Sequence, residues 1–105
     1  MLITYLHWLS HHKLRCLQVQ IRARDGTMLN TYVALPSQTP THKIPVIMER
    51  TPYDASKLEP SSAAWVSRGY ACVWQDMRGR FASKGNFSFW RYSATDAADT
   101  IAWVS

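Results

Sequence analysis

Five consecutive residues, Arg50-Thr51-Pro52-Tyr53-Asp54, carry the clearest chemical potential in this chain. They follow an apolar run from Ile44 to Met48, where a buried strand should spill into a loop. Enzymes built on open α/β sheets do their chemistry in such loops, outside the carboxyl ends of the strands. Pro52 cannot donate to a ladder and pushes Thr51 toward extended geometry, so the strand must end here. Tyr53 then leaves the sheet with one hydroxyl donor on a stiff ring. Held rigidly at a strand end, that donor can stabilise charge developing on a substrate oxygen. The competing role is a ring plugging the loop onto the sheet, and the local sequence alone favours the plug.

Other reactive side chains offer less. His7 and His11 stand four apart in a stretch where Leu2, Tyr5, Leu6 and Leu9 have helical spacing, so on a helix they could share a metal. Apart from Cys16, no thiol or carboxylate lies close enough in sequence to complete that site, and a surface helix or leader is the plainer expectation. Cys72 sits inside the apolar run Tyr70–Trp74 and reads as a small buried hydrophobe rather than a disulfide partner. Asp76, Arg78 and Gly79 read as a salt-bridged loop brace. Ser83 lacks a glycine two positions before it and does not read as a nucleophile. No cofactor or metal is expected.

The elements that must position Tyr53 follow from periodicity. Leu17 to Arg24 alternates apolar and polar residues, as a half-buried strand does. Asp25-Gly26 is a hairpin turn, and Met28 to Leu35 is the returning strand. Ile44–Met48 and Tyr70–Gln75 are short and unalternated, as expected of strands covered on both faces. Between them, Ser61 or Ser62 can cap a helix from Ala63 to Arg68 that Gly69 stops. Asp76 to Tyr92 is a long irregular connection, a kind that is usually functional or disordered. Ser93 is expected to cap a last helix, with Ala94, Ala97, Ala98, Ile101 and Val104 as its apolar face and Asp96 and Asp99 favoured by the helix dipole. Two buried strands joined by a helical crossover form a right-handed parallel pair. The last helix points toward a further strand, which makes the sheet look unfinished.

Composition excludes several classes. The chain has 105 residues, enough for one domain, and its 47% hydrophobic and 18% charged residues describe a globular protein. The net charge of +5 is scattered singly rather than gathered on one face, which argues against nucleic-acid binding. No apolar stretch approaches the ~20 residues of a membrane span. Residues 1–9 have neither a basic start nor a cleavage site, so no signal peptide is read. Together with the buried cysteine, this gives a cytoplasmic expectation.

Four motifs in register carry a family resemblance. Arg24 to Leu29, Pro45 to Asp54, Arg68 to Gly85 and Asp96 to Trp103 resemble the amino-terminal part of the CocE/NonD α/β-hydrolases. These are cocaine-esterase-like and Xaa-Pro dipeptidyl-peptidase-like enzymes. The resemblance runs from about Val19 to the end. It implies an α/β fold: an antiparallel hairpin leading into parallel strands with crossover helices, truncated before the nucleophile elbow. It divides the chain into an unassigned leader, 1–16, and a partial hydrolase domain, 17–105. The family's reaction is serine acyl transfer on small-molecule esters, amides or peptides. Its Gly-x-Ser-x-Gly turn lies one strand beyond the helix matching Ser93–Val104 and is not in this sequence, nor is any histidine after His42. The triad therefore maps to no residue here. The family's oxyanion-hole tyrosine does map, to Tyr53, and reverses the local preference for a plug. Where Ser93 and Ala97 stand, the family often has an acidic residue and a glycine.

The alternative is a non-catalytic remnant acting, if at all, as an interaction module, with self-association through an open sheet edge. A strand pair that lacks its next neighbour should leave apolar surface uncovered. The isolated chain is therefore expected to aggregate or to bind a hydrophobic dye. A sharp, cooperative thermal transition from a soluble monomer would defeat that expectation.

Overall fold

The computed structural model describes residues 3–9, 14–38, 41–88 and 90–105. Its elements in chain order are β1 (Ile3–Leu9), β2 (Leu14–Arg22), β3 (Met28–Pro36), β4 (Val46–Thr51), a 3-10 helix (Ala55–Ser61) running into α1 (Ser62–Val66), β5 (Ala71–Asp76) and α2 (Ser93–Val104). The five strands make one mixed sheet in the spatial order β1-β2-β3-β5-β4.

The expected hairpin is present. β2 and β3 pair antiparallel from Leu14↔Pro36 to Arg22↔Met28. Ala23 N–H donates to Thr27 O and Gly26 N–H to Ala23 O, both at 2.8 Å. Gly26 has φ +90, a conformation that glycine adopts without a Cβ clash. β5 pairs antiparallel with β3 and parallel with β4. The parallel pair obliges the intervening chain to cross one face of the sheet, and the 3-10 helix with α1 makes that crossing.

Alternation along the strands separates two cores. On the crossover face, Leu14, Cys16, Ala34, Cys72 and Trp74 pack with Ala55 and Val66. Val19, Ile21 and Val33 form the other core, with Leu17, Leu35 and Trp103 of α2 against them. Each fully buried aliphatic contributes on the order of 1.5–3 kcal/mol relative to exposure. All six residues of β5 are buried, so this strand is covered on both faces. Cys16 and Cys72 are both buried and free. Burial pushes the Cys16 thiol up to about 12, aided by its hydrogen bond to Glu59, and burial also raises Cys72.

Several elements differ from the sequence expectation. Ile3–Leu9 is a strand paired antiparallel with β2, with an irregularity between Tyr5 and His7, rather than a helix. β2 starts at Leu14, inside the stretch set apart as a leader. The unpaired backbone of β2 needs a partner, and the β-branched and aromatic residues of Ile3–Leu9 suit a strand as well as their spacing suits a helix. His7 is therefore not on a helix, and His11 lies outside the described residues. Among the described residues no three His, Cys, Asp or Glu side chains gather as a metal site.

β4 begins two residues later than expected, has Val46 39% exposed, and is an edge strand, with no strand among the described residues on its far side. Of the two cap candidates, Ser61 stands at the N-cap of α1 without a side-chain cap bond, and the Ser62 hydroxyl accepts the Trp74 indole N–H at 2.7 Å in the core. The N-cap of α2 is Tyr92, with Ser93 as the first helical residue. That helix turns Asp96 and Thr100 inward and leaves Ala94, Ala98 and Ile101 exposed. Polar partners at the end of β5, described below, outcompete an apolar face of small alanines. No helix among the described residues is long and apolar enough to cross a membrane.

Gln75 ties this arrangement together. Fully buried, it donates to Thr31 Oγ1 at 3.0 Å and Thr100 Oγ1 at 2.9 Å, and accepts from Arg50 Nε at 2.6 Å. Gln75→Leu keeps the volume but strands the Arg50 Nε–H. A buried donor left unpaired costs about 1–3 kcal/mol. The expected outcome is a lowered urea midpoint; an unchanged midpoint would show that these polar contacts add nothing to stability.

Candidate functional site

The site is the loop where β4 ends. Thr51 is nearly buried and its Oγ1 accepts the Tyr53 N–H at 3.0 Å. Pro52 O accepts from Arg80 Nε at 2.9 Å. Asp54 adopts φ 76 and ψ 95, a strained backbone for a residue with a Cβ. Its carboxylate accepts from Ser56 N–H at 3.1 Å and Ser56 Oγ at 2.6 Å, which caps the 3-10 helix. Between these fixed points Tyr53 projects outward, 74% exposed. The ring therefore does not plug the loop onto the sheet, contrary to what the local sequence favoured. A strained turn held on both sides presents the phenol at the carboxyl end of a parallel strand.

Asp76 closes that turn from the neighbouring strand. It is 1% exposed, and its Oδ1 accepts the Ala55 N–H at 2.7 Å. Oδ2 accepts Asn30 Nδ2 at 2.9 Å and, more weakly, the Ala82 N–H at 3.4 Å. Ser83 Oγ donates to Asp76 O at 2.6 Å and accepts the Asn30 N–H at 2.8 Å. Both capacities of that hydroxyl are committed to backbone, so Ser83 is a structural bridge, a role its sequence context did not suggest.

Arg78 works on the opposite side. Its Nε and Nη2 grip Asp96 at 2.9 and 2.7 Å, while Nη1 reaches Asp25 at 2.6 Å and Thr27 Oγ1 at 2.8 Å. The guanidinium also lies 4.3 Å from the centre of the Tyr92 ring, within cation–π range. One side chain thus fastens the β2–β3 turn to the first turn of α2. The brace read from Asp76, Arg78 and Gly79 divides: Arg78 is the salt-bridged member, and Asp76 has no cation partner among the described residues but holds the turn after Tyr53. Gly79 has φ +75, and a Cβ there would collide with the backbone of Phe87. Arg50 is only partly satisfied. Its Nη1 donates to Ser93 O at 3.1 Å, but Nη2, 3.9 Å from Asp96, is buried with no hydrogen-bond partner among the described residues. Burial lowers the Arg50 pKa, partly offset by Asp96.

Sequence reasoning found Tyr53 but missed Arg80, Asn30 and the role of Asp76. Asp76 stands 21 positions beyond Ala55, and no local pattern links them. The one usable signal was a carboxylate closing a strand that opens with four apolar residues, Ala71 to Trp74.

Comparison with known proteins places these features in a family. Residues 25–105 match the family model described as X-Pro dipeptidyl-peptidase (S15 family). The chain is 36% identical over 92 residues to a cocaine esterase from Rhodococcus sp. (strain MB1 Bresler), covering 82% of this chain and 16% of the esterase. Among solved structures, an α-amino acid ester hydrolase superposes with a TM-score of 0.76 at 29% identity, over 95% of this chain and 20% of its own. A CocE/NonD family hydrolase from Staphylococcus aureus shares the fold, with a TM-score of 0.67 at 24% identity, over 85% of this chain and 20% of its own. The chain thus spans about a fifth or less of the length of these proteins.

The ion pairs generate a pH dependence. Arg78, then the Thr27 N–H, hold the Asp25 carboxyl well below the usual carboxylate range, and Arg24 does the same for Asp99. A carboxyl whose folded pKa is depressed stabilises the fold above its unfolded value of about 4 and loses that contribution as pH falls toward the folded value. Thermal stability should therefore decline below about pH 4. In Arg78→Gln the acid decline should be shallower, because the largest cause of the Asp25 shift is removed. An identical acid limb in both proteins would assign the sensitivity elsewhere.

Proposed function

The chain belongs to the X-Pro dipeptidyl-peptidase (S15) family, with the α/β-hydrolase fold of the CocE/NonD hydrolases, and from that premise we propose that it forms the amino-terminal part of a serine-type hydrolase of esters or amides. Tyr53 is its oxyanion-hole donor. The observation that carries the reading is the 74% exposed Tyr53 side chain on a strained, braced turn at the carboxyl end of a parallel strand. When a serine attacks an ester or amide carbonyl, negative charge collects on the carbonyl oxygen. A preorganised hydroxyl aimed at that oxygen lowers the barrier without reorganising during the reaction. Small-molecule esters, amides or peptides are the substrates this chemistry takes, and the relatives named as ester hydrolases favour esters.

Serine, aspartate and histidine of the triad map to no position of these 105 residues. An oxyanion donor without nucleophile and base supplies only residual electrostatic help, because triad members act as a unit. A second reading, a non-catalytic module that associates through its sheet edge, is favoured by β4, whose outer edge pairs with no strand among the described residues.

The 105-residue chain should hydrolyse neither nitrophenyl esters nor proline-containing dipeptide amides. The full-length enzyme should turn over one of these classes, and Tyr53→Phe, which removes only the hydroxyl, should reduce its turnover about 10²–10³-fold, or ~3–4 kcal/mol. Full turnover in Tyr53→Phe would return Tyr53 to a structural role. Soluble dimers of the short chain, broken by Val46→Lys on the exposed edge, would support the second reading instead.

A further inference from the structure

We propose that Asp76 is a positioning residue for Tyr53, fixing the phenol by holding the Ala55 N–H two residues downstream with a carboxylate that pairs with no cation among the described residues. The proposal rests on the reading of Tyr53 as the oxyanion donor and adds the residue through which the fold aims it.

Three observations converge. Asp76 is the register partner of Thr51 across the parallel pair, so its carboxylate stands where β4 gives way to the Tyr53 turn. Met77 N–H donates to Thr51 O at 3.0 Å and Arg80 to Pro52 O at 2.9 Å, which fixes the chain before Tyr53. The Ala55 bond to Asp76 at 2.7 Å fixes it after. Between these pins the left-handed Asp54 leaves the backbone little freedom, and Tyr53 inherits a defined direction.

The groups facing Asp76 call for an acceptor on both of its oxygens. Ala55 N–H, Asn30 Nδ2 and Ala82 N–H all face it as donors. Reversing the Asn30 amide would break the bonds its Oδ1 accepts from Gln18 at 2.6 Å and Gln20 at 2.8 Å. An ionised carboxylate is an acceptor on both oxygens, whereas an amide in either orientation sets its own NH₂ against a donor. Asp76→Asn is therefore nearly isosteric but wrong in hydrogen bonding.

Two measurements test the proposal. Hydrogen exchange on the unaltered protein should show the Ala55 amide protected despite its place beside an exposed turn. Asp76→Asn should release it selectively, while Met77, bonded to Thr51, stays slow. An Ala55 amide that exchanges freely in the unaltered protein overturns the proposal without any variant needing to fold. In the full-length enzyme, Asp76→Asn should lower kcat about 10-fold to 100-fold with KM within about twofold, since small misplacements of a reacting group carry costs of that size. In the Tyr53→Phe background the same change should cost less than about twofold, because there is no hydroxyl left to aim. An equal loss in both backgrounds makes Asp76 merely structural and overturns the proposal alone. Full turnover in Tyr53→Phe overturns the reading of Tyr53 and this proposal with it.

Discussion

Two polar side chains, Gln75 and Asp76, end a strand that is buried along its whole length. Neither can reach water, and a buried polar group without a partner costs as much as several good contacts return. The sheet must therefore bring partners to them. Gln75 draws Thr31, Arg50 and Thr100 together on one face. Asp76 draws Asn30 and the turn after Tyr53 to the other. Alternation of side chains along a strand divides the work between adjacent residues.

That constraint explains why α2 packs as it does. An alanine-rich face would bury little apolar area against the sheet, whereas Thr100 and Asp96 satisfy Gln75 and Arg78. Trp103 then supplies the apolar contact on the same side. Breaking such a buried network costs more than the exposure of Ile101 and two alanines, so the helix rotates toward its polar partners.

The same division organises the candidate site. Arg78 locks the hairpin turn to α2 and keeps that layer in place, while Asp76 and Arg80 hold the loop carrying Tyr53. Structure and site are thus served by neighbouring residues of one short segment. The strain at Asp54 persists because hydrogen bonds on both sides over-determine it.

The sequence by itself determined the hairpin, the parallel pair with its crossover, the family and the position of Tyr53. The family rests on four motifs in register; the rest follows from local signals: period-two alternation, Asp25-Gly26, unalternated apolar runs and a proline that must end a strand. Only the tertiary structure decided that Ile3–Leu9 is a strand, that β4 lies at the edge, which face α2 buries and what Asp76 holds. The reason is physical in each case. A strand is chosen by the neighbour that needs its backbone groups, and a helix face by the partners it meets. Ala55 and Asp76, 21 residues apart, become a pair only when β4 and β5 lie side by side.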